Sequence, residues 1–185
     1  FMQRAYDNVI HDVALQNLPV VLCLDRGGIV GEDGATHHGA FDMAYFGCVP
    51  NLTIAAPRNE WQLRQMMYTA SLAEHPTVIR YPRGLGEGVE WKNTPFERLE
   101  EGRGELLREG GDVAIIGVGN MTNVALRAAE RSRHSVAVYD LRYVKPLDEA
   151  LLLTIGSRFE RVITIEDGII HGGAGEAVSA FMAAH

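Results

Sequence analysis

A cation, several acids and a histidine pair stand among glycines in the segment Asp25-Arg26-Gly27-Gly28-Ile29-Val30-Gly31-Glu32-Asp33-Gly34-Ala35-Thr36-His37-His38. A guanidinium grips an oxyanion through forked, charge-assisted hydrogen bonds. A histidine exchanges protons near neutral pH, and carboxylates orient or accept. Glycines let the backbone approach a ligand closely and turn through positive φ. The set is one that can bind a phosphate and move protons. A glycine-rich surface turn with solvated polar residues is the plainer reading, although long irregular segments in compact domains are usually functional.

The elements around this segment decide where it sits. Residues 20–24 are a continuous apolar run of strand length, read as a buried parallel strand. In open parallel sheets ligands lie outside the carboxyl ends of strands, which is where the glycine-rich segment begins. Upstream, Tyr6, Val9, Ile10, Val13 and Ala14 recur at helical spacing and predict a helix over 2–18, stopped by Pro19. Downstream, strands are expected at 52–55 and 77–79. Between them a helix over 58–73 should turn Trp61, Leu63, Met66, Met67 and Ala70 inward. The third strand runs out into Arg80-Tyr81-Pro82-Arg83-Gly84, which brings a second cation near a strand end.

Residues 84–111 change character. Together with Asp112 they hold eight acids and four bases, and they read as an acidic, solvated linker with one strand at 105–107. Strands at 113–116, 136–139 and 162–165 then alternate with helices at 122–131, 148–155 and 174–182. That order implies a parallel sheet with right-handed crossovers. The fold class is therefore α/β, with one parallel-sheet domain over 1–83 and most of a second over 112–185.

The chain has 185 residues, 46% hydrophobic and 22% charged, an ordinary globular composition. Its 17 Lys and Arg against 24 Asp and Glu give −7, which argues against sequence-independent nucleic-acid binding. Cys23 and Cys48 lack paired spacing, so a reducing cytoplasm is expected; no apolar run suits a membrane span. The chain starts at Phe1 in mid-pattern and ends at His185 after an apolar helical stretch, so a piece of a longer protein is expected.

The segment 25–42, with Phe1-Met2-Gln3-Arg4-Ala5-Tyr6-Asp7 before it and Arg80-Tyr81-Pro82-Arg83-Gly84 after it, resembles the 1-deoxy-D-xylulose-5-phosphate synthases. These are thiamine-diphosphate enzymes of the transketolase-like group. The resemblance continues through Tyr143-Val144-Lys145-Pro146-Leu147-Asp148 and Glu166-Asp167 to Gly172-Gly173-Ala174-Gly175. It implies part of a transketolase pyrimidine-binding-type domain followed by most of a C-terminal-type domain.

It also implies a chemistry. The family joins pyruvate to glyceraldehyde 3-phosphate with loss of carbon dioxide, a step toward isoprenoid, thiamine and pyridoxal precursors. Pyruvate decarboxylation leaves an acyl carbanion, for which no side chain offers an electron sink and a thiazolium does. By resemblance, Arg26 and Arg83 hold the substrate phosphate, while His37 and Asp33 stand near the reacting carbons and hydroxyls. His38 is a supporting or solvated residue, and Phe1 packs on the cofactor's pyrimidine ring. Thiamine diphosphate, Mg2+, further domains of the same protein and a homodimer are the implied partners.

Two family features are absent from this sequence: the glutamate that activates the cofactor, and the Gly-Asp-Gly…Asn motif that holds magnesium and diphosphate. Glu32-Asp33-Gly34 and Glu166-Asp167-Gly168 have the wrong first residue and no matching asparagine. The chain alone is expected to be inactive. The alternative is a small subunit or interaction module that needs a separate cofactor-binding chain.

Other chemistries fit less well. Gly117-Val118-Gly119 with Asp140 suggests a dinucleotide fingerprint, but Thr122 stands at its third glycine. The pair His37-His38 lacks the further ligands that structural zinc requires, and no Gly-x-Ser-x-Gly elbow is present. The second half offers no evident chemical residue, and its 172–175 run reads as a tight turn made for close packing.

Overall fold

The computed structural model describes residues 2–185. Its first element, α1, is irregular: a 3-10 turn Met2–Ala5, a single α-turn Tyr6–Asn8 and a π-helical stretch Val9–Ala14. The regular helix expected to residue 18 stops four residues early. Wide bonds (Leu15 N to Ile10 O, 2.9 Å; Leu18 N to Val13 O, 3.1 Å) unwind it, and Asn17 turns through φ 50° ahead of Pro19. Proline has no N–H to continue the ladder and disfavours α geometry in the residue before it.

The first sheet is built from β1 (Val21–Leu24), β2 (Thr53–Ala55), β3 (Thr77–Arg80) and β7 (Tyr143–Lys145), in the order β1-β3-β2-β7. Its first three strands are parallel. The second comprises β4 (Glu105–Arg108), β5 (Val113–Gly117), β6 (Val136–Asp140) and β8 (Val162–Ile165), in the order β4-β6-β5-β8. Here β6, β5 and β8 are parallel, and β4 runs antiparallel on the edge. Five further helices join the strands: α2 (Asp42–Gly47), α3 (Glu60–Ser71), α4 (Met121–Arg131), α5 (Glu149–Arg158) and α6 (Ala174–Ala184).

The strand–helix alternation and the two parallel-dominated sheets follow the sequence pattern, and two features depart from it. Strand β7 comes from the later part of the chain yet pairs antiparallel with β2, so the halves interleave. A buried cluster accordingly spans both halves, with Met43, Phe46 and Ile54 packed in it together with Ile116, Tyr139 and Leu152.

Segment 84–111 is the second departure, since much of it is strapped to α3. Gln65 donates to Pro95 O (3.0 Å) and accepts from Glu97 N (2.9 Å), while Thr69 accepts from Leu99 N (2.9 Å). Arg64 lies over the Phe96 ring at 3.9 Å. These bonds explain why α3 buries Gln65 and Thr69 with Met66 and Ala70, and leaves Met67 exposed. Backbone groups in a strap without secondary structure need partners, and buried polar side chains supply them.

A polar network ties α3 to the second sheet. Gln62, 1% exposed, donates to Asp140 at 2.8 Å and accepts from Arg58 N at 2.8 Å. Asn123 of α4 donates to Arg58 O at 2.7 Å. Burial pushes the Asp140 carboxyl above its ordinary pKa, opposed by Gln62, Arg142 and Arg58. Gln62→Leu keeps the volume and strands a buried acceptor and a buried N–H. It is expected to destabilise the protein by about 2 to 4 kcal/mol, read by urea denaturation. An unchanged midpoint would show that the network carries no stability.

Candidate active site

Register places the two cations. Leu24, the last residue of β1, pairs with Arg80, the last of β3, so both strands deliver their following loops to the same edge. The loops are then stitched: Tyr81 N donates to Leu24 O (3.0 Å) and Gly27 N to Tyr81 O (2.9 Å). Arg26, held at φ 61°, and Arg83 consequently converge on Asp33. Arg26 Nε donates to Asp33 Oδ2 at 2.7 Å, and Arg83 Nε lies 3.2 Å from the same oxygen. Arg83 also donates to Glu32 at 2.9 Å, and Arg26 to Asp25.

His37 closes a 3-10 turn, Ala35–His37, which Gly34 opens at φ 78°. Its Nδ1 lies 3.0 Å from Thr36 Oγ1. The adjacent His38 is structural, since its Nδ1 accepts from Val30 N at 3.0 Å and closes the loop on itself. A cavity of about 300 Å3 opens beside β1, walled by Arg26, His37, His38, Phe41, Asp42 and Tyr45 among others. Asp33 and Arg83 are not among its walls and sit behind Arg26. Arg26, Asp33, His37 and Arg83 thus form one cluster, whereas Phe1 lies outside the described residues.

Two residues at this site were missed by sequence reasoning. Arg80 is buried beneath the loop and donates to Asp42 at 2.7 Å and Asp167 at 2.6 Å. Asp167 follows β8, so the second half does contribute a charged group at the site, contrary to expectation. The available signal was a lone arginine closing the otherwise apolar strand Thr77-Val78-Ile79-Arg80. Beside Asp167, Glu166 accepts from Gly175 N (2.8 Å) and Ala174 N (3.1 Å) and caps α6. The turn before α6 packs closely as expected, since a Cβ on Gly172 would meet Ala44 at 2.8 Å.

The site suits part of a cofactor only. Its cavity offers aromatic and apolar walls at Phe41, Tyr45, Met2 and Leu24, against which a planar ring can pack. Among the described residues no group of three or more His, Cys, Asp or Glu is placed to hold a metal ion. The dinucleotide reading also fails, because Asp140 is fully buried under Gln62 and Thr122.

The hydrogen bond from Arg26 holds the Asp33 carboxyl below its ordinary pKa against partial burial, with Arg83 and His37 adding to the pull. A carboxyl lowered on folding contributes stability above its unfolded pKa and loses that contribution as pH falls through the folded value. A carboxyl-carbon NMR titration should therefore place the Asp33 midpoint below the ordinary aspartate value. Arg26→Ala should raise it, and a midpoint unmoved by that change would remove Arg26 as the cause.

Comparison with known proteins places both parts of the chain in one family. The family model "Transketolase, pyrimidine binding domain" matches residues 1–88, and "Transketolase, C-terminal domain" matches 102–185. A 1-deoxy-D-xylulose-5-phosphate synthase of Bacteroides thetaiotaomicron is 59% identical over 190 residues, covering 100% of this chain and 29% of the relative. The synthase of Carboxydothermus hydrogenoformans is 52% identical over 98% of the chain and 29% of its own length. The chain thus spans about 29% of the length of these curated relatives. A solved split-gene transketolase, described as an inactive beta4 tetramer, superposes with a TM-score of 0.85 at 31% identity. That match covers 98% of this chain and 59% of the other. With both domain models placed end to end, the chain belongs to the transketolase family, and the members it resembles throughout are the 1-deoxy-D-xylulose-5-phosphate synthases.

Proposed function

We propose that this chain supplies the acceptor-substrate side of the active site in a 1-deoxy-D-xylulose-5-phosphate synthase, which condenses pyruvate with glyceraldehyde 3-phosphate. One observation carries the reading: two guanidinium groups from adjacent strand ends meet on a single carboxylate oxygen of Asp33. A phosphate dianion brings more charge and more acceptor oxygens than a carboxylate, so the same fork geometry suits it better. Arg26 and Arg83 hold the phosphate in this reading. Asp33 yields part of its contact and turns toward the substrate hydroxyls. His37, at the cavity wall, donates a proton to the carbonyl oxygen of the acceptor as the new carbon–carbon bond turns that oxygen into a hydroxyl.

Thiamine diphosphate, when bound, supplies the electron sink for the decarboxylation. Phe1 packs on its pyrimidine ring, while Mg2+ and the diphosphate are held by residues outside this chain, in further domains of the same protein or across a homodimer. The chain alone is inactive on this reading. Along the chain it divides into a first part over 1–83, a strap over 84–111 that ends in β4 of the second sheet, and a second part over 112–185 that returns β7 to the first sheet. It works in the cytoplasm, upstream of isoprenoid, thiamine and pyridoxal precursors. The split-gene character of the solved relative favours a second arrangement, in which the chain is a subunit paired with a separate cofactor-binding chain. The mass of the native polypeptide separates the two.

In the active assembly, Arg83→Ala should raise KM for glyceraldehyde 3-phosphate roughly ten- to a hundredfold and leave KM for pyruvate within about twofold. Equal effects on both substrates would take Arg83 out of the phosphate role. His37→Ala should lower kcat by roughly a hundredfold or more while thiamine diphosphate affinity, read by fluorescence titration, stays unchanged. A parallel loss of cofactor affinity would make His37 a structural residue.

A further inference from the structure

The loop that carries Arg26 and His37 rests on a buried ion triad. Arg80 is 2% exposed, Asp42 6% and Asp167 14%. The guanidinium donates through Nε to Asp42 (2.7 Å), through Nη1 to Asp167 (2.6 Å) and through Nη2 to Gly39 O (3.3 Å). Gly39 belongs to the returning limb of the loop, and Asp42 opens α2 at its end.

The outgoing limb lies on the same support. An added Cβ at Gly27 would fall 2.9 Å from Arg80 Nη2, and one at Gly28 would collide with the Asp167 carboxylate. The limbs are bonded to each other, Gly28 N to Gly39 O and Gly39 N to Gly28 O, each at 2.9 Å. Arg26 immediately precedes this pinned pair in a left-handed conformation, and Arg83 leaves β3 three residues after Arg80. The loop of Arg26 is thus rooted on the Arg80 side chain, and Arg83 follows that same residue in the chain.

A buried ion triad is a poor source of net stability, since apolar residues of equal volume often serve as well. What it supplies is direction, because a planar fork bonded on three sides permits one loop position. We propose that Arg80 and Asp167 are positioning residues, through which the second half of the chain sets the spacing of Arg26 and Arg83 and hence the grip on the substrate phosphate. The inference rests on the phosphate-binding reading of those two arginines given above.

The test uses the active full-length assembly with two acceptors, glyceraldehyde 3-phosphate and phosphate-free glyceraldehyde. Asp167→Asn keeps the side chain's size and one acceptor oxygen; Arg80→Lys keeps the charge without the fork. Each should raise KM for the phosphorylated acceptor roughly five- to tenfold, as expected when binding groups shift by a fraction of an ångström. KM for glyceraldehyde and for pyruvate should stay within about twofold. On an Arg26→Ala background, Asp167→Asn should add nothing further, because both changes act through the same grip.

Equal losses with both acceptors would overturn the proposal, as would additive effects on the Arg26→Ala background. Failure of both variants to fold would overturn it as well and leave a purely structural clamp. Arg83→Ala is measured alongside. If it does not discriminate between the acceptors, the phosphate reading falls and this inference with it. If it discriminates and Asp167→Asn does not, the positioning role alone is lost.

Discussion

One guanidinium holds the two halves of this protein together beneath the glycine-rich loop. Arg80 ends a strand whose four residues are all buried, and its head lies between Asp42 and Asp167. Burial alone would disfavour its charge, yet the two carboxylates outweigh that and hold the group more firmly protonated than in water. Taking such a charge out of water costs several kcal/mol, recovered only when every donor meets an acceptor at good geometry. The glycines at 27, 28 and 39 follow from it: the guanidinium and Asp167 crowd the first two, and a Cβ on Gly39 would collide with Arg26 O.

The charge balance above the clamp sets how the site can bind an anion. Two arginines face Asp25, Glu32 and Asp33, so the local sum is already negative and the guanidinium donors are engaged. On the proposed reading, an incoming phosphate exchanges with these carboxylates. The exchange is feasible because Arg83 and Glu32 are largely solvent-exposed and their pair is worth little. The Arg26–Asp33 bond is more sheltered, so Asp33 keeps the guanidinium oriented until the exchange occurs. On that reading the loop is pre-shaped, with the Asp33 carboxylate standing where the substrate anion would bind.

What was readable in the sequence was what local rules govern. The β1 run, the apolar strand closed by Arg80, and the glycine-rich loop between them all announce themselves through hydrophobic continuity and backbone freedom. Arg26, Asp33, His37 and Arg83 could therefore be named, and they stand together in the fold. Long-range pairing escaped. Nothing local tells Tyr143–Lys145 to join β2 rather than its own neighbours, and nothing in Gln65 and Thr69 says that their polar groups face inward to a strap thirty residues on. The α1 stretch kept its apolar spacing but not its regular winding, a difference visible only once the bonds are drawn. Asp167 was missed for the same reason, since its partner lies 87 positions away.

The second half's contribution becomes intelligible at its own strand ends. In an open α/β sheet the carboxyl ends of the strands are where a ligand is received. Here β6 ends in Asp140, which receives Gln62 and Arg58 of the first half. Past β8, Asp167 receives Arg80. After β5, Gly119 turns through φ 56° and sits against Ala56 and Pro57. The position that would hold a nucleotide in a free-standing domain is filled by the neighbouring half of the same chain. The Gly117-Val118-Gly119 turn and the acid at 140 thus keep the outline of a binding edge while their polar groups are spent on the interface. A domain whose receiving edge is closed in this way acts on chemistry through what it holds in place, and what it holds is the strand and loop that carry Arg26, His37 and Arg83.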